Sequence, residues 1–181
     1  MTLLGLLAIG LCLRIAISDL YARRVPNAWL LGTSALAMVA LLAGQFIGPP
    51  AAWMPHLLGA LLGLVALLPF YAIGWMGAGD VKFFAVIGLL LGMHALLPVW
   101  IIASLAAGAH AVAVLACARL PLVLPTPLQL QWERSHRYWR NRPSVQRMQG
   151  ARQGRQGIPY AAYMGIAAIG WVLWTVHGGS P

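Results

Sequence analysis

Only three of the 181 residues are acidic, and two of them, Asp19 and Asp80, lie against long apolar stretches of the chain. A carboxyl group at membrane depth costs about 2.5–3.5 kcal/mol on insertion scales, so such a residue is a candidate for function. Two carboxyl groups that face each other in a site shielded from water do not both ionise easily, and the pair shares a proton. The ionised member can then activate water while the protonated member polarises a peptide carbonyl. These two residues therefore permit the chemistry of an aspartic peptidase.

A structural role would also explain each carboxylate. Asp80 follows the Gly-Ala-Gly tripeptide 77–79 and precedes an apolar helix, where an N-cap would contribute about 1 kcal/mol. Asp19 lies near the C-terminal end of its helix, where the dipole is unfavourable, so it would depend on Arg14 or Arg23 for compensation. From physical reasoning alone, a catalytic pair and two independent interfacial carboxylates are equally well supported.

Composition indicates the elements that must position these residues. Apolar residues make up 61% of the chain, charged residues only 8%, and the mean hydropathy is +0.79. Since a membrane-spanning helix needs about 20 mostly apolar residues, we predict an all-α integral membrane protein with a single transmembrane domain over 1–181 and about six helices. The predicted spans are 2–20, 28–47, 56–75, 80–95, 97–118 and 158–176.

Glycines recur at four-residue spacing within or beside these spans. The pairs stand at 44 and 48, at 59 and 63, and at 88 and 92. Small residues at this spacing let helix backbones approach closely, so the pattern predicts helix packing and not a ligand site.

The distribution of the twelve Lys and Arg residues predicts the orientation. Arg23 and Arg24 follow the first span, Lys82 follows Asp80, and arginines cluster between residues 134 and 155. By the positive-inside rule these segments are cytoplasmic, which puts both termini outside and both aspartates at cytoplasmic helix ends. The first 13 residues carry no basic region and no cleavage site follows, so we expect a retained first span.

The basic cytoplasmic segment, residues 119–157, is predicted to lie at the membrane surface. On a helix, Leu128, Trp132 and Trp139 share one face and the arginines at 134, 137 and 140 share the opposite face. This pattern suits a helix among anionic lipid headgroups, and we favour that partner over nucleic acid. The Gly-, Arg- and Gln-rich stretch 149–157 predicts a flexible connector. Glu133 lies in this segment and needs no special explanation.

Other catalytic signatures are missing. The sequence contains no HExxH, GxSxG or Walker motif, and its five histidines are scattered. Cys12 and Cys117 fall within predicted spans without CxxC spacing, which indicates two buried thiols. We therefore expect no metal site and no cofactor.

Residues around the aspartates offer supporting positions. Gly77 and Gly79 admit unusual backbone angles and leave space beside Asp80 for an extended peptide. Lys82 stands two positions after Asp80 and points away from it on a helix, as a lysine at the interface would. The Pro26-Asn27 pair predicts a turn that separates the first two helices.

Three segments together resemble the prepilin leader peptidases, which are GxGD membrane aspartyl proteases, in the short form associated with Tad/Flp pili. The segments are Asp19 followed by Arg-Arg-Val-Pro-Asn at 23–27, Gly-Ala-Gly-Asp-Val-Lys-Phe at 77–83, and Ile-Pro-Tyr-Ala at 158–161. Their combination covers nearly the whole chain and is more specific than a GxGD motif by itself. The chain departs from the family pattern at Val25, where isoleucine is common, and in its long arginine-rich segment.

The resemblance implies a hydrolase of the bacterial inner membrane that removes, at the cytoplasmic face, the basic leader of a prepilin or pseudopilin. Such substrates belong to type IV pili and protein secretion. The resemblance implies that Asp19 and Asp80 are catalytic. Full-length relatives also have an N-terminal domain with paired CxxC motifs and N-methylate the new terminus; the short form lacks this domain, so we do not expect methylation.

Two other classes of protein stay open. A non-catalytic scaffold subunit would tolerate substitution of Asp19 or Asp80, but would lose its partner when the basic segment is deleted. A small transporter would use the aspartates as a cation or proton relay. Their predicted position at one face of the membrane, rather than at its middle, argues against transport.

Overall fold

The computed structural model describes residues 2–47, 53–119, 125–154 and 157–178. Within these residues the chain forms helices and no strand, so the predicted all-α fold is confirmed. The helices are α1 (Leu3–Ala22), α2 (Asn27–Ile47), α3 (Trp53–Ala72), α4 (Ala78–Leu91), α5 (Met93–Arg119), α6 (Thr126–Arg140), α7 (Pro143–Arg152) and α8 (Tyr160–Val176).

Four of the described helices, α1, α2, α3 and α5, are long and apolar enough to cross a membrane. The chain is therefore a multi-pass membrane protein. The other two apolar helices are shorter: α8 has 17 residues and α4 has 14. At 1.5 Å per residue, α4 is about 21 Å long, which is less than the roughly 30 Å hydrocarbon layer. It ends at Leu91 because Gly92 takes a positive φ of 80° as its C-cap.

The short helix α4 is surrounded by other helices, and its side chains from Phe83 onward are mostly buried. Glycines allow α3 to contact it backbone to backbone. A Cβ atom on Gly59 or Gly88 would overlap the carbonyl oxygen of the other residue, and one on Gly63 would lie 2.9 Å from the Phe84 carbonyl oxygen. The predicted packing role is confirmed for these glycines, whereas Gly48 lies outside the described residues.

Helix α8 packs against both α1 and α5 through small side chains. A Cβ atom on Gly165 would lie 3.0 Å from the Cys12 carbonyl oxygen, so α1 and α8 also approach closely. Cys12 is fully buried and Cys117 is exposed, which corrects the prediction that both thiols are buried. Cys117 is exposed because it lies near the end of the long helix α5, beyond the residues that pack on α8.

The basic segment forms two helices, α6 and α7, so the expected helix is present. Leu128 and Trp139 are exposed, which leaves the predicted contact with headgroups open as a prediction. The side chain of Trp132 and residue Arg155 lie outside the described part of the chain. Glu133 accepts a hydrogen bond from Arg137 at 3.4 Å on the exposed surface of α6.

The flexible connector predicted for 149–157 is wrong in its first part. Residues up to Arg152 belong to α7, which packs against α1. Arg152 donates a hydrogen bond of 2.9 Å to the backbone carbonyl of Leu20 near the end of α1. Composition suggested a loop because Gly and Gln are common in linkers, but this contact with another helix stabilises the last turn.

Candidate active site

One cavity of about 1150 Å³ lies where the C-terminal end of α1 meets the N-terminal ends of α4 and α8. It contains both Asp19 and Asp80. Aromatic and aliphatic side chains form much of its wall, including Phe70, Trp75 and Trp100. A space of this volume, mostly apolar with a few convergent polar groups, is typical of a ligand-binding site.

Asp19 is 7% exposed and accepts a hydrogen bond of 3.0 Å at Oδ2 from the backbone N–H of Ala162. Ala162 lies in the first turn of α8, whose N-cap residue, Pro159, has no side-chain donor or acceptor to cap the helix. Asp19 therefore supplies from α1 the acceptor that the N-terminus of α8 lacks. The carboxyl group also faces the favourable end of the α8 dipole.

The expected compensation of Asp19 by a nearby arginine is present only as an electrostatic effect of Arg23, which does not contact the carboxyl group directly. Among the described residues, neither Arg14 nor Arg23 forms an ion pair with Asp19. Arg14 instead lies over the ring of Trp29, 5.4 Å from its centroid. Arg23 leaves the helix in a left-handed conformation with φ 53°, and its guanidinium donates to the Gly157 carbonyl.

Asp80 is partly buried and lies in the first turn of α4. The purely structural explanation made Asp80 the N-cap of this helix. The N-cap is Gly77 instead. Asp80 stands three residues later, where a carboxylate can reach back to the N-cap N–H. The Gly77 backbone and the charge of Asp19 both act on the Asp80 carboxyl group.

The two motif glycines have different surroundings. Gly77 has an ordinary extended backbone with φ −75°, and a Cβ atom there would lie 3.4 Å from Asp80 Oδ2. A Cβ atom on Gly79 would lie 2.9 Å from Cβ of Val25. Neither glycine uses the unusual backbone angles that we expected. Gly79 makes room for the α1–α2 turn, so the expected space for a peptide is occupied by Val25 at this position.

The remaining predicted positions divide between the cavity and the surface. Pro26 lines the cavity, and the chain turns there before α2 begins at Asn27. Asn27 and Lys82 are exposed and do not line the cavity. The functional roles proposed for these residues, including those of the two aspartates, stay predictions.

Arginines that follow α1 contribute to the cavity wall. Arg23 and Arg24 line the cavity, and Arg24 donates to the side-chain carbonyl of Gln153, just after α7. Burial, and after it the neighbouring charge of Arg152, lowers the pKa of Arg23. These contacts join the end of α1 to the segment that leads into α8.

The type IV leader peptidase family model matches residues 6–112. The chain belongs to this family. The matched region contains both aspartates and the Gly-Ala-Gly-Asp motif, and it ends before α8. The family resemblance expected from the sequence motifs is confirmed.

A curated relative is the prepilin leader peptidase/N-methyltransferase of Bacillus subtilis (strain 168). It is 32% identical over 121 residues, which make up 66% of this chain and 47% of the relative. This chain therefore aligns with about half the length of that protein. No solved structure gives a significant match.

Sequence reasoning missed a pair of hydroxyl groups in this cavity. Tyr160 and Ser104 line the cavity and lie 3.0 Å apart, hydroxyl to hydroxyl. Tyr160 was visible within the Ile-Pro-Tyr-Ala segment, but its side chain had no assigned role. Ser104 is a polar residue inside an apolar span, which is the kind of signal that could have identified it.

No group of three or more His, Cys, Asp or Glu side chains in the described ranges could hold a metal ion. The histidines make other contacts: His56 hydrogen-bonds the Leu89 carbonyl at 2.9 Å, and His110 hydrogen-bonds the Tyr163 hydroxyl at 2.6 Å. The cavity wall includes no described histidine; its ionisable and hydroxyl-bearing side chains are those of Asp, Arg, Ser and Tyr.

Proposed function

We propose that this chain is an aspartic endopeptidase that removes the N-terminal leader from a prepilin or pseudopilin. The observation that carries the proposal is the presence of Asp19 and Asp80 in one cavity, in a chain that belongs to the type IV leader peptidase family. The name of the Bacillus relative supports prepilin as the substrate class.

The proposed reaction uses a water molecule and the two aspartates. The ionised aspartate takes a proton from the water as its oxygen attacks the peptide carbonyl carbon, and the protonated aspartate donates its proton to the carbonyl oxygen. Collapse of the tetrahedral intermediate breaks the C–N bond: the aspartate that took the water proton gives it to the departing nitrogen, and the other aspartate takes a proton from a hydroxyl group on the carbon, which restores the pair. The products are a carboxyl terminus on the leader and a new amino terminus on the pilin.

The surroundings of the cavity support this chemistry. The apolar wall keeps much of the site away from water, which strengthens electrostatic interactions within it. The volume of about 1150 Å³ accommodates several residues of an extended peptide. We further propose that the site opens to the cytoplasm from the inner membrane, with both chain termini outside, because the end of the arginine-rich segment contacts the end of α1 that lines the cavity.

The proposal is tested with purified membranes and a peptide that spans the leader junction of a prepilin. Inverted inner-membrane vesicles, which expose the cytoplasmic face, should cleave the peptide, and right-side-out vesicles should not. Asp19→Asn and Asp80→Asn should each reduce cleavage by about 10⁴-fold or more, since they keep side-chain shape but remove the titrating group.

Glu133→Gln is the matched control, because it removes the third carboxylate of the chain from an exposed ion pair on α6. It should cleave at the rate of the unsubstituted protein. Full activity in either aspartate variant, at equal protein level, would refute the aspartic mechanism, and equal cleavage by membranes that lack this chain would favour a non-catalytic scaffold.

A further inference from the structure

Two of the hydroxyl groups that line the cavity, those of Ser104 and Tyr160, pair with each other and have no part in the reaction as described above. Tyr160 is the first residue of α8, and Ser104 lies in the middle of α5. Both line the cavity and are partly buried, and their hydroxyl oxygens are 3.0 Å apart. Partly buried hydroxyl groups are costly unless they have partners, so this pair calls for an explanation.

The position of Tyr160 is linked to both aspartates. Two residues after it, the Ala162 N–H donates to Asp19, so the same helix turn carries the tyrosine and binds the first carboxyl group. Asp80 lies close enough to interact electrostatically with the Tyr160 side chain. The hydroxyl is therefore held near the reacting groups by backbone contacts on one side and by Ser104 on the other.

Which of the two hydroxyl groups donates the hydrogen bond decides whether Tyr160 can also donate to a substrate. A tyrosine hydroxyl has one proton to donate and can also accept. If Ser104 donates to the Tyr160 oxygen, the tyrosine proton stays free to bind an acceptor in the cavity. A phenol is a better hydrogen-bond donor than a serine hydroxyl, so this arrangement puts the stronger donor towards the substrate.

We propose that the Tyr160 hydroxyl is a third catalytic group, which donates a hydrogen bond to the carbonyl oxygen of the peptide bond under attack, and that Ser104 positions it. The inference rests on the proposed peptidase function. The bond strengthens as the carbonyl becomes tetrahedral and its oxygen gains electron density. The tyrosine keeps its proton throughout, so the proton transfers between water, the aspartates and the leaving nitrogen are unchanged.

The test compares two tyrosines of α8 that lie one helical turn apart. Tyr160→Phe removes the proposed donor and should lower kcat by about 100-fold with little change in KM, the scale seen when one oxyanion donor is lost. Tyr163→Phe removes the same atom from a residue that pairs with His110 and does not line the cavity. It should keep kcat within about twofold. Equal kcat values for the two variants would overturn the proposal.

Ser104→Ala tests the positioning role. It should lower kcat by about fivefold, as expected for one neutral hydrogen bond. In the Tyr160→Phe background the same change should have no further effect, because there is no hydroxyl left to position. Additive effects of the two changes, or a larger loss from Ser104→Ala than from Tyr160→Phe, would refute the assignment of Tyr160 as donor.

Two further measurements distinguish a failure of the tyrosine proposal from a failure of the peptidase proposal or of folding. If Asp19→Asn and Asp80→Asn abolish cleavage while Tyr160→Phe does not, the peptidase proposal stands and the tyrosine proposal fails. If Tyr160→Phe does not fold, as judged by thermal unfolding in detergent, fluorotyrosine at position 160 replaces it. A fluorinated phenol is a stronger hydrogen-bond donor, so at a pH where it keeps its proton kcat should exceed that of the unsubstituted protein; an unchanged kcat contradicts the proposal.

Discussion

The C-terminal end of α1 and the N-terminal end of α4 hold their aspartates in different ways. Asp19 is buried and accepts a hydrogen bond from the first turn of α8, so its carboxyl group also connects two helices. Asp80 is partly buried and stands in the first turn of its own helix, next to Gly77. The contacts of Asp80 are local, whereas those of Asp19 join distant parts of the chain.

Because of this difference, a loss of cleavage activity does not have the same meaning for the two aspartates. A substitution of Asp19 can abolish cleavage by removing a proton carrier or by releasing α8. A substitution of Asp80 acts more directly on the chemistry, because in the described part of the chain its side chain forms no hydrogen bond to a second helix. Asparagine preserves the acceptor oxygen at position 19, so the Ala and Asn variants separate the two causes.

The largest expected effect on folding comes from Asp19→Ala. This change leaves the buried Ala162 N–H without an acceptor and should lower the free energy of unfolding by about 1–3 kcal/mol. Asp19→Asn should recover most of that loss, and Asp80→Ala should cost less than about 1 kcal/mol. Chemical denaturation in detergent micelles measures all three. Equal losses for Asp19→Ala and Asp80→Ala would remove the distinction between the two sites.

A smaller effect is expected where α4 meets the turn after α1. Gly79→Ala puts a Cβ atom 2.9 Å from Cβ of Val25, and the resulting displacement should cost about 1–2 kcal/mol. Gly10→Ala is the matched control, because a Cβ atom there meets nothing within 4 Å. Val25→Gly should restore part of the stability of Gly79→Ala. Thermal unfolding gives the comparison, and a neutral Gly79→Ala would show that the turn is not packed against α4.

The smallest effect is expected at the exposed attachment of α7 to α1. Arg152→Ala removes the hydrogen bond to the Leu20 carbonyl and should cost about 0.5–1 kcal/mol, while amide hydrogen exchange in α7 should become faster. Arg147→Ala changes an exposed arginine of the same helix and should leave exchange unaltered. If both variants exchange alike, Arg152 does not hold α7 in place.

Much of the fold was predictable because the signals are local. Hydropathy indicated the six apolar helices to within a few residues, and glycine spacing indicated the close contact at Gly59 and Gly88. The predictions failed where contacts between distant segments decided the outcome. The last turn of α7 was expected to be a connector, and Asp19 was expected to pair with an arginine, because neither Leu20 nor Ala162 signals such a contact in the sequence.

The sequence by itself determined that this chain is a multi-pass membrane protein and that Asp19 and Asp80 are its two unusual acids. Burial cost and helix length depend on the residues in one segment, so both conclusions follow from composition. Only the tertiary structure decided which groups surround the aspartates. The hydrogen bond between Asp19 and Ala162 joins residues 143 positions apart, and the Ser104–Tyr160 pair joins α5 to the same helix α8. Such contacts depend on how helix ends meet when their faces pack, and no local pattern records that.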